Sequence, residues 1–370
     1  MKKKNQKLIV LMVGLCGAVA LAGCGRTTKS SSGDNPSGAA SAAATTPSAA
    51  TSASTTAANP DAPLAKDLKI TFLPQKVNIP YFSVCQTGAE KAATALSEQL
   101  KATGPSDASA SSQVTYINTA AQQGQNALLL AANDVNAVAP ALKAARQRGM
   151  KVVTFDSDAA ADARDVFINQ AATEDIGVGQ IKLISDAIHG TGEIAVLSAT
   201  ANATNQNAWI AVMKKELAKP EYAGLKLVDI AYGEDDDQIS FQKTQGLMQA
   251  HPKLKGIISP TTIGVAAAAR YLGSSEYKGK VALTGVGTPN QLRKFIKDGT
   301  MTSFSLWDPA HLGYLATYAS VALVSGQITG KPGEKFKAGE LGEYTIGANS
   351  EVVLGPPIVF NKDNIDKYDF

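Results

Sequence analysis

The residues that most often carry chemistry are sparse in this chain. Its three histidines, His189, His251 and His311, stand apart, none at metal-ligand spacing to another His, a Cys or a carboxylate. There is no G-x-S-x-G elbow, no G-x-x-x-x-G-K-[ST] phosphate loop and no Cys and His pair with a local nucleophile signature. The acidic run at 234–237 clusters hard oxygens but lacks the spaced Asp/Asn, Gly and Glu pattern of a calcium loop. It precedes a helical pattern, where carboxylates meet the helix dipole favourably, and so reads as a helix start. GVGTPN at 285–290 fails the spacing of a nucleotide fingerprint; Thr288 and Pro289 read as N-cap and first helical residue. Lys and Arg number 35 against 32 Asp and Glu, a net charge of +3, and the signs are interspersed, which gives nucleic acid no basic stripe. The expectation is a protein with no catalytic residues, no metal and no cofactor.

What the chain does offer is hydrogen-bonding and flat apolar side chains, grouped where apolar runs end. A sugar presents a face of C–H groups that packs on aromatic rings and a rim of hydroxyls that need polar partners. After the first run come Gln75, Lys76 and Asn78, with Tyr81 and Phe82 as walls; Phe82 could equally be the first core position of its helix. After KVVTF stands Asp156, followed by Ser157 and Asp158. A carboxylate there can accept two hydroxyl protons, each charge-assisted bond contributing about 1.5 to 3 kcal/mol against about 0.5 to 1.5 for a neutral one. Further on lie Asn205, Gln206 and Trp209; Asn205 would also serve as an N-cap, and the other two as first-turn surface and core positions. Pro260, Thr261 and Thr262 enter another helix, either threonine being a candidate cap. Trp307 and Asp308 end the last run, Asp308 reading as an N-cap before Pro309.

Positioning these residues falls to β-rich runs alternating with helical patterns, the signature of parallel sheets with crossover helices. The first set comprises KITFL (69–73), VTYIN (114–118), ALLLA (127–131) and KVVTF (151–155). A helix over 82–100 is carried by Phe82, Cys85, Ala89, Ala92, Leu96 and Leu100 at helical spacing, and another ends at Gly149. Cys85 on that apolar side reads as a buried, inert thiol. The second set has a helix over 173–188, EIAVLSA (193–199), a helix over 206–217, KLVDIAY (226–232), a helix over 240–250, GIIS (256–259), a helix to Leu272 and VALTG (281–285). The expected fold class is α/β, with two doubly wound parallel-sheet domains whose strand ends face a shared cleft, where open α/β sheets bind ligands.

Ahead of these domains, Lys2, Lys3, Lys4 and Lys7 precede an apolar run over 8–22, too short to span a bilayer as a mature helix. The run ends in LAGC, which resembles the lipobox of bacterial lipoproteins and implies a signal peptide over 1–23 and lipidation of Cys24. Nearly every residue from 27 to 63 is Ser, Ala, Thr, Gly or Pro, so 24–65 is expected to be a flexible, membrane-anchored tether. Cys16 would leave with the signal and Cys24 would carry lipid, leaving Cys85 without a disulfide partner. About 305 residues remain, enough for two domains of ordinary size.

The segments NIPYF (78–82), VVTFDSD (152–158), FINQ (167–170), NQNAW (205–209), TPN (288–290), LWDP (306–309) and VFNKDNIDKYDF (359–370) together resemble the periplasmic binding proteins of the rhamnose and autoinducer-2 group, in the ribose-binding-like, type I class. The resemblance spans 68–370. It implies an extracytoplasmic substrate-binding lipoprotein of an ABC sugar importer, a monomer that closes on a small sugar and presents both lobes to permease subunits; a sugar-sensing receptor subunit is the non-transport alternative. It also implies hinge crossings, expected near 156–169, Trp307 and 339–343, with lobes over 66–157 plus 308–338 and 158–307 plus 339–370. Autoinducer-2 receptors use a lysine after the first-strand proline, an Asp ending the VLTWDSD-like strand, an Asp-Gln pair opening a helix and a Pro with a nearby Ala. Those positions here read Gln75, Asp156, Asn205 with Gln206, and Pro260 with Thr262. The three departures lose a cation, neutralise a carboxylate and add a hydroxyl to a methyl. A neutral sugar needs amides and hydroxyls more than charges, and LSATANATNQNAWI and GIISPTT look like the rhamnose-binding branch. L-Rhamnose is the expected ligand, with autoinducer-2 the alternative and another pentose or deoxyhexose third.

Overall fold

The computed structural model describes residues 57–370; the expected signal run, Cys24 and most of the expected tether lie outside the described residues. The chain first lays down β1 (Lys69–Leu73), α1 (Pro80–Leu96), β2 (Gln99–Ala102), α2 (Ala110–Gln122), β3 (Ala127–Leu130), α3 (Ala139–Gln147), β4 (Lys151–Phe155) and β5 (Val166–Asn169). It then crosses to α4 (Thr173–Ala187), β6 (Gly192–Ser198), α5 (Thr204–Leu217), β7 (Leu225–Tyr232), α6 (Asp237–Ala250), β8 (Leu254–Ser259), α7 (Thr262–Gly273), β9 (Ala282–Gly285), α8 (Pro289–Lys297) and β10 (Ser303–Leu306). It returns through α9 (Pro309–Val324), β11 (Lys335–Lys337), β12 (Glu343–Thr345) and β13 (Glu351–Val353), and crosses a third time to β14 (Ile358–Asn361).

Two parallel sheets result. The first runs β13-β5-β4-β3-β1-β2 and the second β7-β6-β8-β9. In both, the strand that comes first in sequence lies between the second and the third, so the direction of winding reverses beside it. That reversal opens a crevice at the strand carboxyl ends. Leu128, Leu129 and Leu130 of β3 are fully buried, as strands covered by helices on both faces must be. Helix starts are set locally: Pro80, Pro289 and Pro309 occupy first-turn positions, where the missing N–H costs nothing. Asp308 caps α9 by accepting from the N–H groups of Ala310 and His311.

Three expectations change. VTYIN is not a strand but the body of α2, which Ser109 caps through the Ser112 N–H and which buries Gln113, Ile117 and Ala120. The second strand is instead β2 at the sheet edge, half exposed along its length, and the helix expected to reach Leu100 ends at Leu96. β2 has only one strand partner and one covered face, so it carries little hydrophobic signal. The lobe boundaries also move: β5 and β13 both belong to the first sheet, so the crossings follow Asn169, Leu306 and Val353 rather than falling at 158 and 339. Arg164 explains the segment after Asp156. It binds Asp158 through two nitrogens, at 2.7 and 2.8 Å, and the Asn349 carbonyl at 2.9 Å, which ties that loop to the approach to β13.

Candidate functional site

Where β4 ends, the chain turns through Asp156 with φ at 62°, a left-handed conformation that a non-glycine residue holds only when its surroundings enforce it. The turn aims the carboxylate across the crevice. Its Oδ1 accepts from the Tyr81 hydroxyl at 2.8 Å, and that hydroxyl accepts from Trp307 Nε1 at 2.7 Å. Its Oδ2 accepts from Asn205 Nδ2 at 3.2 Å. The first two groups belong to α1 and to the β10–α9 crossing, the third to α5 of the second lobe. One carboxylate therefore joins both lobes and a crossing between them.

Around it lies a cavity lined by Gln75, Tyr81, Phe82, Asp156, Asn205, Gln206, Trp209, Pro260, Thr261, Thr262 and Trp307, with Ile79, Asp235, Val286 and Leu306. The aromatic walls support one another. Tyr81 meets Trp307 edge-on with centroids 6.1 Å apart, Trp209 lies 6.0 Å from Trp307, and Tyr81 lies 5.1 Å from Phe82. The two glutamine amides are each fixed by one end. Gln75 donates from Nε2 to the Ala132 carbonyl at 3.0 Å. Gln206 accepts at Oε1 from Ser198 Oγ at 2.7 Å and from the Ala199 N–H at 2.8 Å, which leaves its NH₂ for the cavity. Deeper support comes from buried Gln113, which donates to the carbonyls of Pro74 and Ala131 and accepts from the Asn133 N–H, holding the β1 and β3 ends together.

The structure thus gathers ten of the eleven expected ligand residues about one cavity and leaves out Asn78. Asn78 is exposed, with φ at 63°; it spends itself on the left-handed turn into α1, which points its side chain out. Asn205 is not the N-cap of α5, a place taken by Ala203; its amide is free to bind Asp156. Thr261 holds the N-cap position of α7 without a side-chain cap bond, its hydroxyl donating instead to Asp235. Trp307 and Phe82 are buried as well as lining the cavity, so both readings of Phe82 hold at once.

Asp235 is the residue that sequence reasoning missed. The acidic run divides its labour: Asp236 caps α6 through the Ile239 N–H at 2.9 Å, Asp237 pairs with Arg270, and Asp235 turns into the cavity. The available signal was position, since Asp235 follows β7 as Asp156 follows β4. Lys76, next to the Gln75 that stands where a cation was expected in autoinducer-2 receptors, reaches across the crevice to the Asp235 backbone carbonyl at 3.2 Å. No Lys or Arg is among the described residues that line the cavity.

Burial pushes the Asp156 carboxyl up to about 7, the Asp235 charge adding to the rise and the Tyr81 and Asn205 hydrogen bonds opposing it. Burial also raises Asp235, against the Thr261 bond and the Lys76 charge. The arrangement can accept and donate hydrogen bonds between aromatic walls.

Comparison with known proteins bears on what fills that space. Residues 70–328 match the periplasmic binding protein domain. A sugar ABC transporter protein of Actinomyces odontolyticus is similar at 55% identity with a TM-score of 0.67, over 82% of this chain and 98% of that one. A solute-binding protein of Clostridium phytofermentas with bound L-rhamnose is 36% identical with a TM-score of 0.80, over 82% and 98%. LsrB of Clostridium saccharobutylicum in complex with AI-2 is 27% identical with a TM-score of 0.78, over 82% and 100%.

Proposed function

The chain belongs to the periplasmic binding protein family, among the solute-binding proteins of sugar ABC transporters, and from that premise we propose that its own ligand is L-rhamnose or a closely similar deoxyhexose. The observation that carries this reading is the cavity lining: neutral amides and hydroxyls, carboxylates as the charged groups, and aromatic walls. Hydroxyls donating to Asp156 and accepting from the free amide of Gln206 would be held from both lobes, while the ring's C–H face packs on Trp209 and Trp307. The greater identity to the rhamnose-bound relative than to the AI-2-bound one points the same way.

Binding works as closure. In the closed arrangement Asn205 of the second lobe meets Asp156 of the first, and a ligand touching both lobes stabilises that arrangement over an open one to the extent of its differential contacts. The protein performs no chemistry on the sugar. The closed face docks on permease subunits of an importer, and lipid on Cys24 holds the protein, as a monomer, at the outer face of the cell membrane. AI-2 remains the second reading because Asp156, Gln206 and Pro260, the positions shared with its receptors, line the same cavity.

The two readings separate in one triple variant, Gln75→Lys, Asn205→Asp and Thr262→Ala. It should lose at least tenfold in affinity for L-rhamnose and gain for AI-2. Unchanged rhamnose affinity would show that these positions do not select the ligand and would remove the basis for preferring rhamnose.

A further inference from the structure

We propose that Asp235 is a specificity-determining residue, the second lobe's counterpart of Asp156, which accepts a ligand hydroxyl so that the site grips a neutral polyol between two carboxylates and refuses acidic sugars. The proposal rests on the reading of the cavity as a sugar site and adds a residue and a selection rule to it. Three observations carry it. Asp235 lines the same cavity as Asp156. Its Oδ1 accepts from the Thr261 hydroxyl, a bond that fixes the carboxylate plane, whereas Oδ2 takes no hydrogen bond from any described residue. Its backbone is left-handed, with φ at 47° following Glu234 at 54°, so the turn spends strain to direct the side chain inward.

The contrast with Asp156 sharpens the point. Both Asp156 oxygens already accept a bond from the protein, so Asp235 Oδ2 is the more open acceptor on the cavity wall. Ionised carboxylates accept and do not donate, and a wall whose charged groups are both acids, with no Lys or Arg among the described lining residues, repels a third carboxylate to the extent that those two are ionised. A uronic or aldonic acid would bring that third charge into a space of low dielectric, where repulsion is poorly screened. Lys76 is not among the lining residues; its ammonium is directed at the Asp235 backbone carbonyl, where its charge offsets part of that of Asp235 and leaves Asp156 without a cationic partner. Selection against the wrong ligand by like charge is a common device of specific sites.

Calorimetric titration of residues 62–370 with L-rhamnose, its monodeoxy analogues and D-galacturonate, for the wild type and Asp235→Asn, tests this. Asp235→Asn should bind L-rhamnose about ten- to a hundredfold more weakly. One monodeoxy analogue should be penalised in the wild type but bind both proteins alike, which a purely structural role through Thr261 would not produce. The wild type should show no heat with D-galacturonate. A wild type that binds no neutral sugar removes the reading of the site, and the proposal with it. A wild type that binds rhamnose while Asp235→Asn binds it equally well, or that accepts D-galacturonate, overturns the proposal and leaves the reading standing.

Discussion

Asp156 ends a buried parallel strand, and burial lifts its carboxyl to about 7 from the usual 3.8. Between those values the folded protein binds more protons than the unfolded chain, so this group's contribution to stability is lost as pH rises from about 4 through 7. Asp156→Asn removes that slope. Urea midpoints of the variant at pH 5 and pH 8 should lie closer together than those of the wild type, and an equal separation would show that the carboxyl is not held as described. A ligand hydroxyl donating to Asp156 favours its ionised form. Binding near pH 7 should therefore release protons, read from the dependence of the titration enthalpy on the buffer's ionisation enthalpy; proton uptake would contradict the contact. Asp156 was legible in the sequence because it directly follows KVVTF, with no helical pattern to cap until Thr173. Asp235 was not, because its neighbours Asp236 and Asp237 do start a helix and their role masked its own.

Helices α1 and α9 place the aromatic walls, and they can do so only by touching backbone to backbone. A methyl carbon added at Gly313 would fall 1.9 Å from the Cys85 carbonyl oxygen, and one at Gly88 would fall 1.8 Å from that of Ala310. Either glycine to alanine change must push the helices apart, at about 1 to 3 kcal/mol or more. Gly313→Ala should lower the melting temperature by several degrees and weaken sugar binding too, since α1 carries Tyr81 and Phe82 and α9 follows Trp307. Wild-type stability in that variant would mean the helices are not so closely opposed. Helix α1, with one buried face at helical spacing, and strands β1 and β4, apolar runs buried nearly throughout, could be read in sequence. VTYIN could not, because its β-branched residues lie in a helix whose buried positions, Gln113, Ile117 and Ala120, include a glutamine recruited to hold loops. The edge strands β2 and β13 gain their identity from neighbours far along the chain, which local pattern does not record.

Over the whole molecule, three crossings join two lobes of matching strand order, and the cavity sits where both sheets reverse direction. Two of the crossings follow Asn169 and Leu306, at the ends of β5 and β10. The third follows Val353 because β13 pairs with β5, a contact between residues nearly two hundred positions apart that no local signal announces. The proposed lipid anchor is tested at this scale as well. Cys24→Ser in the full chain should move the protein from the membrane fraction to the medium, and continued membrane association would show that something other than lipid on Cys24 holds it. The central claim is that the cleft closes on a neutral deoxyhexose, and calorimetric titration of residues 62–370 with L-rhamnose, AI-2 and D-arabinose addresses it most directly. L-Rhamnose should bind at micromolar or tighter affinity and the other two at least tenfold more weakly; no heat with L-rhamnose alongside tight binding of AI-2 would contradict the account.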